Sequence, residues 1–297
     1  MKLFRRCRLA VAFLVLAACD RAKAPPPVET TAARPVSPAD SAVAATTRNW
    51  DMGAGPVLLV AGGSPGQALV LTPDSAAAST QIAALPRPAS VTLFGRNGTV
   101  QGAEMPAIAD SNGCSIASLR AAGPPRPWNV GFIGGVTAAI AMDSTQSLTP
   151  ADSASLVASA NRLASALPSD SAGRFAGLPF VVRSLWRFSI PSGETVVVAT
   201  LTRQINQEAT PLQEHTLLVA ERPASDTTLT TAYSERSFGF EETIESRDVV
   251  AAVLIGDARV PALILSRDFG DGIAYALVER GNDGRWRSRW HSGRFRC

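Results

Sequence analysis

The chain has 297 residues, of which 46% are hydrophobic, 18% charged and 6% aromatic, and its formal net charge is +3. This composition suits a folded protein with a sizeable core and excludes a wholly disordered chain. Four cysteines are too few for a small disulfide-stapled scaffold, and no apolar run after the N-terminal one approaches the roughly 18 residues of a membrane-spanning helix.

The N-terminus has the features of an export signal. A ten-residue apolar stretch runs from Leu9 to Ala18, which is the length of a secretory apolar region and too short to span a bilayer. Four basic residues precede it: Lys2, Arg5, Arg6 and Arg8. Residues 1–18 are therefore predicted to be a signal peptide, with a buried apolar helix as the alternative.

The apolar stretch closes with Leu16-Ala17-Ala18-Cys19, and in this pattern the N-terminus resembles that of bacterial lipoproteins. In that family a peptidase cuts before the cysteine, which then receives a diacylglyceryl group and an N-acyl chain such as palmitate. The resemblance implies lipidation of Cys19 and stable membrane anchoring, because more than one acyl chain is attached. It also implies a location in the cell envelope, facing the periplasm or the exterior. Asp20 favours the inner membrane in the best-studied bacteria, and both membranes remain open.

Removal of the signal peptide changes the charge of the chain. The mature protein keeps 24 basic and 25 acidic residues, a net charge of −1, so its overall charge does not favour nucleic-acid binding. Residues 19–48 contain five prolines and no aromatic residue. They are predicted to be a disordered tether, and residues 49–297 a folded domain.

The first part of the folded domain is predicted to be mainly β. Short apolar runs at 57–61, 68–71, 90–94, 99–103, 128–133 and 136–142 are separated by turn residues. Asn97-Gly98 is a hairpin signal between two of these runs, and Gly134-Gly135 occupies the same position between the last two.

One segment is predicted to be helical. Thr149 has the position of an N-cap, Pro150 that of the first helical residue, and Asp152 that of an acidic residue in the first turn. Apolar residues then recur at helical spacing as far as Leu167, and Pro168 follows. This pattern predicts a helix over 150–167 that packs beside a sheet.

The rest of the chain is predicted to form hairpins at 179–190, 195–206, 214–222 and 227–235. Four further runs, 249–255, 260–267, 273–280 and 285–291, are joined by short Gly- and Asp-rich turns and indicate an antiparallel meander. The predicted fold class is α+β, predominantly antiparallel β with one main amphipathic helix. It forms one domain or two lobes divided within 145–175, and a sandwich, a barrel and an incomplete propeller all remain open.

Two cysteines remain after loss of Cys7 with the signal peptide and acylation of Cys19. A pair of cysteines in an oxidising compartment predicts a disulfide between Cys114 and Cys297. The alternative is two free thiols.

Two residues are candidate nucleophiles of a hydrolase. Ser64 lies in Gly62-Gly63-Ser64-Pro65-Gly66, which fits the nucleophile elbow of α/β-hydrolases. However, Pro65 has no N–H for an oxyanion hole, and a strand is predicted where the elbow needs a helix. Cys114 is the second candidate, with His215 or His291 as its base.

No metal site and no cofactor is predicted. The two histidines are isolated and lack zinc spacing. Asp268, Asp271 and Asp283 lie in glycine-containing turns, where aspartate is an ordinary turn residue, and they supply too few ligands for calcium.

The C-terminus is strongly basic, with a net charge of +5 over residues 280–297. Strand alternation predicts an outward row of Arg285, Arg287 and Arg289, and an inward row of Trp286, Ser288 and Trp290. Such arginines suit an anionic partner. The alternative is a solvated face that pairs with acidic side chains of the preceding hairpin: Glu241, Glu242, Glu245 and Asp248.

Nothing in the sequence identifies a substrate or a reaction. The sequence favours a membrane-anchored envelope lipoprotein with a non-catalytic binding or structural role, whose partner is another envelope protein or an anionic surface, and not a nucleic acid. One alternative is an envelope hydrolase that uses Ser64 or Cys114. Another is a small-ligand-binding lipoprotein, which a deep pocket lined by Trp and Arg would favour.

Overall fold

The computed structural model describes residues 58–62, 66–72, 82–83, 85–111, 113–133, 137–168, 173–205, 211–256 and 258–296. All of these residues belong to one compact structural unit, Thr47–Cys297. The predictions for the signal peptide, Cys19 and the tether lie outside these residues, as do Ser64 and Cys297.

A six-stranded antiparallel barrel begins the described part of the chain. Its strands are β1 (Leu58–Ala61), β2 (Gln67–Leu71), β3 (Ala89–Phe94), β4 (Val100–Ser111), β5 (Cys114–Ala121) and β6 (Val130–Ile133), in the order β1-β2-β5-β4-β3-β6. The hairpin predicted at Asn97-Gly98 is confirmed, since β3 pairs with β4 across it and Gly98 has a φ of +80°.

Strand alternation gives the barrel two apolar faces. Leu59 and Val70 lie in the barrel interior, whereas their neighbours Leu58 and Leu71 are buried on its outer surface. An apolar outer surface must be covered, and a neighbouring sheet covers it.

That neighbour, the central sheet, contains β7 (Thr137–Ile140), β13 (Ser246–Ile255), β14 (Val260–Asp268), β15 (Ile273–Arg280) and β16 (Trp286–His291), in the order β16-β15-β14-β13-β7. The predicted C-terminal meander is confirmed by the consecutive pairing of its last four strands. One face, with Val253 and Ile264, packs on the barrel, and the other, with Leu254 and Leu263, packs on the outer sheet.

The outer sheet contains β8 (Asp143–Ser144), β9 (Val181–Ser189), β10 (Thr195–Ile205), β11 (Leu212–Arg222) and β12 (Thr230–Phe240), in the order β12-β11-β10-β9-β8. A 3-10 helix at Thr145–Ser147 follows β8. The outer sheet is also buried on both faces, because Val198 and Leu217 contact the central sheet while Leu201 and Leu218 contact a helix.

The predicted helix is confirmed as α1, Pro150–Ala166, the one long helix among the described residues. Thr149 Oγ1 accepts a hydrogen bond from the Asp152 N–H at 3.1 Å, and Pro150 begins the helix, as predicted. Leu156, Ala160 and Ala164 are its buried residues. The fold is therefore mostly antiparallel β with one helix, and it includes a barrel.

A buried ion cluster fixes the C-terminal end of α1 to the outer sheet. Arg203 Nη2 lies 2.9 Å from Glu214 Oε2, with both side chains buried. The guanidinium group of Arg236 lies 3.4 Å from Glu214 Oε1 and also donates to the Ala164 and Pro168 carbonyls of the helix end. The Ala164 carbonyl also accepts the C-cap N–H of Leu167, so Arg236 adds a second donor at the helix end.

The hairpin predicted at Gly134-Gly135 is wrong. Strand β6 pairs with β1 and β3 and so closes the barrel, whereas β7 pairs with β13 in the central sheet. Both edges of β6 are occupied, and the chain therefore crosses from the barrel to a different sheet. Among the described residues, no helix combines the length and the apolar character needed to cross a membrane.

Cys114, at the start of β5, is disulfide-bonded. Its predicted partner, Cys297, lies outside the described residues. Phe295 lines a cavity together with Gly113 and Ser115, which flank Cys114, and Cys297 follows Phe295 by only two residues. The pairing of Cys114 with Cys297 stays a prediction.

We expect Cys297→Ser and Cys114→Ser to lower the free energy of unfolding by the same amount, up to about 5 kcal/mol in the chain-entropy model. The double variant should lose no more than either single variant, because one bond is removed in all three. Denaturant unfolding and non-reducing peptide mapping of the full chain measure this. A Cys114 thiol that stays blocked in Cys297→Ser would contradict the pairing.

Candidate functional site

The first candidate site is a cavity of about 460 Å³ where the barrel meets the outer sheet, here called the Trp186 pocket. Its walls come from the β3–β4 hairpin, the segment before β6, the 3-10 helix and β9. The lining residues are Gly95, Arg96, Asn97, Thr99, Arg126, Pro127, Asn129, Met142, Ser144, Ser147 and Trp186. A cavity of this size, with an aromatic ring and a few polar groups, is typical of sites for small organic ligands.

The Arg96 side chain forms one wall of the Trp186 pocket. Its guanidinium carbon lies 4.9 Å from the centre of the Trp186 ring, in a cation–π contact. Arg96 Nη2 donates to Asp248 Oδ2 at 2.9 Å, and its Nε donates to the Val250 carbonyl at 3.1 Å. These bonds fix the guanidinium group and neutralise its charge, so Arg96 has a positioning role for the Trp186 ring.

Arg126 brings a charge that is not neutralised. It is exposed on the pocket wall, and its side chain forms no ion pair with any described residue. Trp186 Nε1, which is buried, likewise has no hydrogen-bond partner in the described part of the chain. The Trp186 pocket therefore offers a ligand one cation and one indole ring.

A glycine in the hairpin allows this wall to form. A Cβ atom added at Gly95 would lie 2.4 Å from Thr99 Oγ1 and 3.2 Å from the Pro127 carbonyl oxygen. A larger residue would require the Thr99 side chain to move and the Pro127 carbonyl to shift by a few tenths of an ångström.

The second candidate site is a cavity of about 260 Å³ between the outer and central sheets, here called the His215 cleft. Its lining residues come from β9, β10, β11, β13 and the turn before β13. They are Arg183, Thr200, Leu201, Thr202, Gln213, His215, Thr216, Leu217, Glu241, Ser246 and Arg247.

His215 is half-buried in this cleft and hydrogen-bonded there. Its Nε2 lies 2.8 Å from Gln213 Oε1, on the same face of β11. Burial is the main cause that lowers the pKa of His215, and the positive charges of Arg247 and Arg183 lower it further. A hydrogen bond with the main chain of Glu245 and the negative charge of Glu241 raise the pKa, but the net shift is downward. His215 is therefore a neutral hydrogen-bonding group at neutral pH.

The charged residues of the His215 cleft differ in how they are paired. Arg247 is buried, and its guanidinium group lies 2.7 Å from both Glu235 and Glu245. Arg183 donates through Nε to Thr202 Oγ1 at 2.8 Å, but neither it nor Glu241 forms an ion pair with any described residue. The cleft thus presents one unpaired cation and one unpaired carboxylate.

A chain of hydrogen bonds connects the two cavities. Arg96 of the Trp186 pocket binds Asp248, whose Oδ1 accepts from Ser184 Oγ at 3.3 Å. Ser184 Oγ lies 2.7 Å from Thr200 Oγ1, and Thr200 lines the His215 cleft. This polar chain holds one side chain of each cavity in place.

The predicted inward row on β16 is wrong. Trp286 packs between the central and outer sheets, whereas Trp290 packs between the central sheet and the barrel. The register of β15 and β16 shifts between Leu277 and Val278, which inserts Arg289 as an extra residue between Ser288 and Trp290. This β-bulge turns the two tryptophans to opposite faces.

The predicted arginine row is exposed but partly paired. Arg287 bonds the Asp283 carboxylate and lowers the pKa of Asp283 to about 2, and Arg289 Nε lies 3.9 Å from Glu279 Oε1. Arg285 forms no ion pair with a described residue. The acidic partners differ from those the sequence suggested, since Glu245 binds Arg247 and Asp248 binds Arg96. A binding role for Arg285, Arg287 and Arg289 stays a prediction.

The structure gives little support to the candidate nucleophiles. Cys114 is held in a disulfide, so it has no thiol to activate. Ser64 lies outside the described residues, but the segment that contains it joins two paired antiparallel strands, β1 and β2. A nucleophile elbow would instead lead from a strand to a helix.

In the described ranges, no three His, Cys, Asp or Glu side chains come together as a metal site would require. The three turn aspartates have other partners. Asp271 pairs with Arg294 and Arg296, Asp283 pairs with Arg287, and Asp268 accepts the Gly270 N–H.

We expect the free energy of unfolding to fall as the pH is lowered below about 6.5, the ordinary pKa of histidine. In that range the unfolded chain binds a proton at His215 that the folded chain, with its lowered pKa, does not bind. The contribution of His215 to stability is complete above that pH and is lost at no more than about 1.4 kcal/mol per pH unit.

Denaturant unfolding at pH 7.5, 6.5 and 5.5 (roughly spanning the histidine range) measures this effect in the wild type and in His215→Gln. The variant should show the smaller dependence on pH. Equal slopes in the two proteins would contradict the assignment.

The chain has no match among known proteins in the comparisons made: no family model, no curated protein and no solved structure matches it. Its function must therefore be inferred from the chemistry of the two cavities and from the N-terminal sequence.

Proposed function

We propose that this chain is a lipid-anchored binding protein of the bacterial cell envelope and that it catalyses no reaction. The anchor is inferred from the N-terminal sequence, in which a basic start, an apolar stretch and Leu16-Ala17-Ala18-Cys19 follow in the order typical of bacterial lipoproteins. Acyl chains on Cys19 would hold the folded domain at a membrane, with residues 19–48 as the tether.

The observation that carries the binding role is the Trp186 pocket. It combines a volume of about 460 Å³, an indole ring held by Arg96, and the unpaired guanidinium group of Arg126. An indole face favours a flat or apolar ligand, and a guanidinium group favours an anion. We infer that the ligand is a small organic anion with an apolar or aromatic body.

Two other functions have weaker support. A hydrolase that uses Cys114 would need a free thiol, and Cys114 is disulfide-bonded. Binding of an envelope protein or an anionic surface through Arg285, Arg287 and Arg289 would rely on a row in which two of the three charges are already paired. Such an interaction would have to displace Asp283 from Arg287 and Glu279 from Arg289, although surface ion pairs of this kind are weak.

We expect the wild-type chain to incorporate a clickable palmitate analogue when it is produced in a Gram-negative bacterium, and Cys19→Ala to incorporate none. The reason is that the Cys19 thiol is the proposed acylation point. Cys7→Ala is the matched control, because Cys7 lies in the proposed signal peptide, and it should be labelled like the wild type. Labelling of Cys19→Ala, or no labelling of the wild type, would refute the anchor.

We expect anilinonaphthalene sulfonate to bind the Trp186 pocket more tightly than its neutral analogue N-phenylnaphthylamine. Arg126→Gln should weaken binding of the sulfonate probe by about tenfold, because one charge-assisted hydrogen bond is lost, and should leave the neutral probe unchanged. Fluorescence titration of the detergent-solubilised full chain measures both affinities.

Arg120→Gln is the control for this titration, since Arg120 is also exposed and unpaired in the described part of the chain but lies away from the pocket. It should bind both probes like the wild type. If the sulfonate probe binds Arg126→Gln with unchanged affinity, Arg126 is not the anion-binding group and the proposed ligand class is wrong.

A further inference from the structure

The His215 cleft carries two opposite charges that do not neutralise each other. Arg183 belongs to β9, and Glu241 belongs to the turn between β12 and β13. Both line the same cavity, and the two side chains form no ion pair with each other or with any other described residue.

The other groups of the cleft add no net charge. Arg247 and Arg267 together are compensated by Glu235 and Glu245. His215 is neutral at neutral pH, because burial lowers its pKa. The remaining polar lining consists of hydroxyl and amide groups, which hydrogen-bond a charged ligand without favouring either sign: Thr200, Thr202, Gln213 and Ser246.

This arrangement discriminates between ligands by charge. A simple anion would be attracted by Arg183 but repelled by Glu241, and a simple cation would meet the opposite pair of forces. A molecule with a carboxylate at one end and an ammonium group at the other would be attracted by both residues.

We propose that the His215 cleft binds a small zwitterion, of which the α-amino acids are the common kind, with its carboxylate on Arg183 and its ammonium group on Glu241. The cavity of about 260 Å³ has room for a molecule of this size, since it equals the volume of about nine water molecules. Leu217 contributes an apolar group to the wall, beside which a short aliphatic side chain can lie. This site is separate from the Trp186 pocket and goes beyond the proposed function.

The test uses three probes that differ only in their charged groups: L-alanine, propionate, which lacks the ammonium group, and ethylamine, which lacks the carboxylate. Binding to the detergent-solubilised full chain at pH 7.5 (about one unit above the ordinary pKa of histidine) is measured by saturation-transfer NMR. We expect L-alanine to bind with a Kd below about 10 mM, and propionate and ethylamine to bind at least about tenfold more weakly.

Five variants assign the binding to the cleft. Arg183→Gln and Glu241→Gln should each weaken L-alanine binding by about tenfold or more. Arg162→Gln, an exposed arginine of α1, and Glu242→Gln, next to Glu241 but not in the cavity wall, should bind like the wild type. Arg126→Gln should also bind L-alanine normally, so a failure of the Trp186 pocket and a failure of this site are distinguishable.

Several results would overturn the proposal. L-alanine that does not bind, or that binds Arg183→Gln and Glu241→Gln as tightly as the wild type, would exclude the site. Propionate that binds as tightly as L-alanine would show an anion site in which Glu241 has no role. Arg183 and Glu241 are exposed, so both variants should unfold at the wild-type temperature, which is checked by thermal denaturation.

Discussion

The central sheet is buried on both faces, and the rest of the fold depends on this constraint. Along β13, Ala251 and Val253 contact the barrel while Ala252 and Leu254 contact the outer sheet. Each of its strands must therefore supply apolar residues to both sides, which explains the continuous apolar runs in this part of the sequence. The barrel and the outer sheet each have an apolar surface that must be covered, and the central sheet covers both. Without the central sheet, the outer surface of the barrel and the facing side of the outer sheet would both be exposed to water.

This arrangement also decides where polar groups can lie. Charged side chains that are buried between the sheets are paired, as Arg247 is with Glu235 and Glu245, because an unpaired buried charge is costly. Asp248 extends the polar region by binding Arg96 and Ser184. The two cavities lie at either end of this polar chain, at places where the layers separate and apolar packing stops.

The sequence predicted local features well and long-range features poorly. Helix α1 was predictable because Thr149, Pro150 and the apolar spacing are all local signals, and the β3–β4 hairpin was predictable from Asn97-Gly98. The crossing at Gly134-Gly135 was not, because it depends on β1 and β3 occupying both edges of β6. The bulge at Arg289, which separates Trp286 from Trp290, follows from pairing with β15. Neither cavity could be predicted, because its lining residues are far apart in the sequence. Arg96, Arg126 and Trp186 meet in one cavity, and Arg183, His215 and Glu241 line the other. The sequence indicated only that a pocket lined by Trp and Arg would favour ligand binding, and not which residues would line it.

The pairing of the charges distinguishes the candidate binding groups from ordinary surface residues. Many arginines of the described chain have a carboxylate partner, including Arg96, Arg203 and Arg280. Others, such as Arg120 and Arg162, are unpaired but project from the surface, where water solvates them and a partner would add little. Arg126 and Arg183 are unpaired on the wall of a cavity, as are Arg87 and Arg222 on the walls of two further cavities. There a ligand is partly shielded from water, so its charge interacts with the guanidinium group more strongly than it would on an open surface.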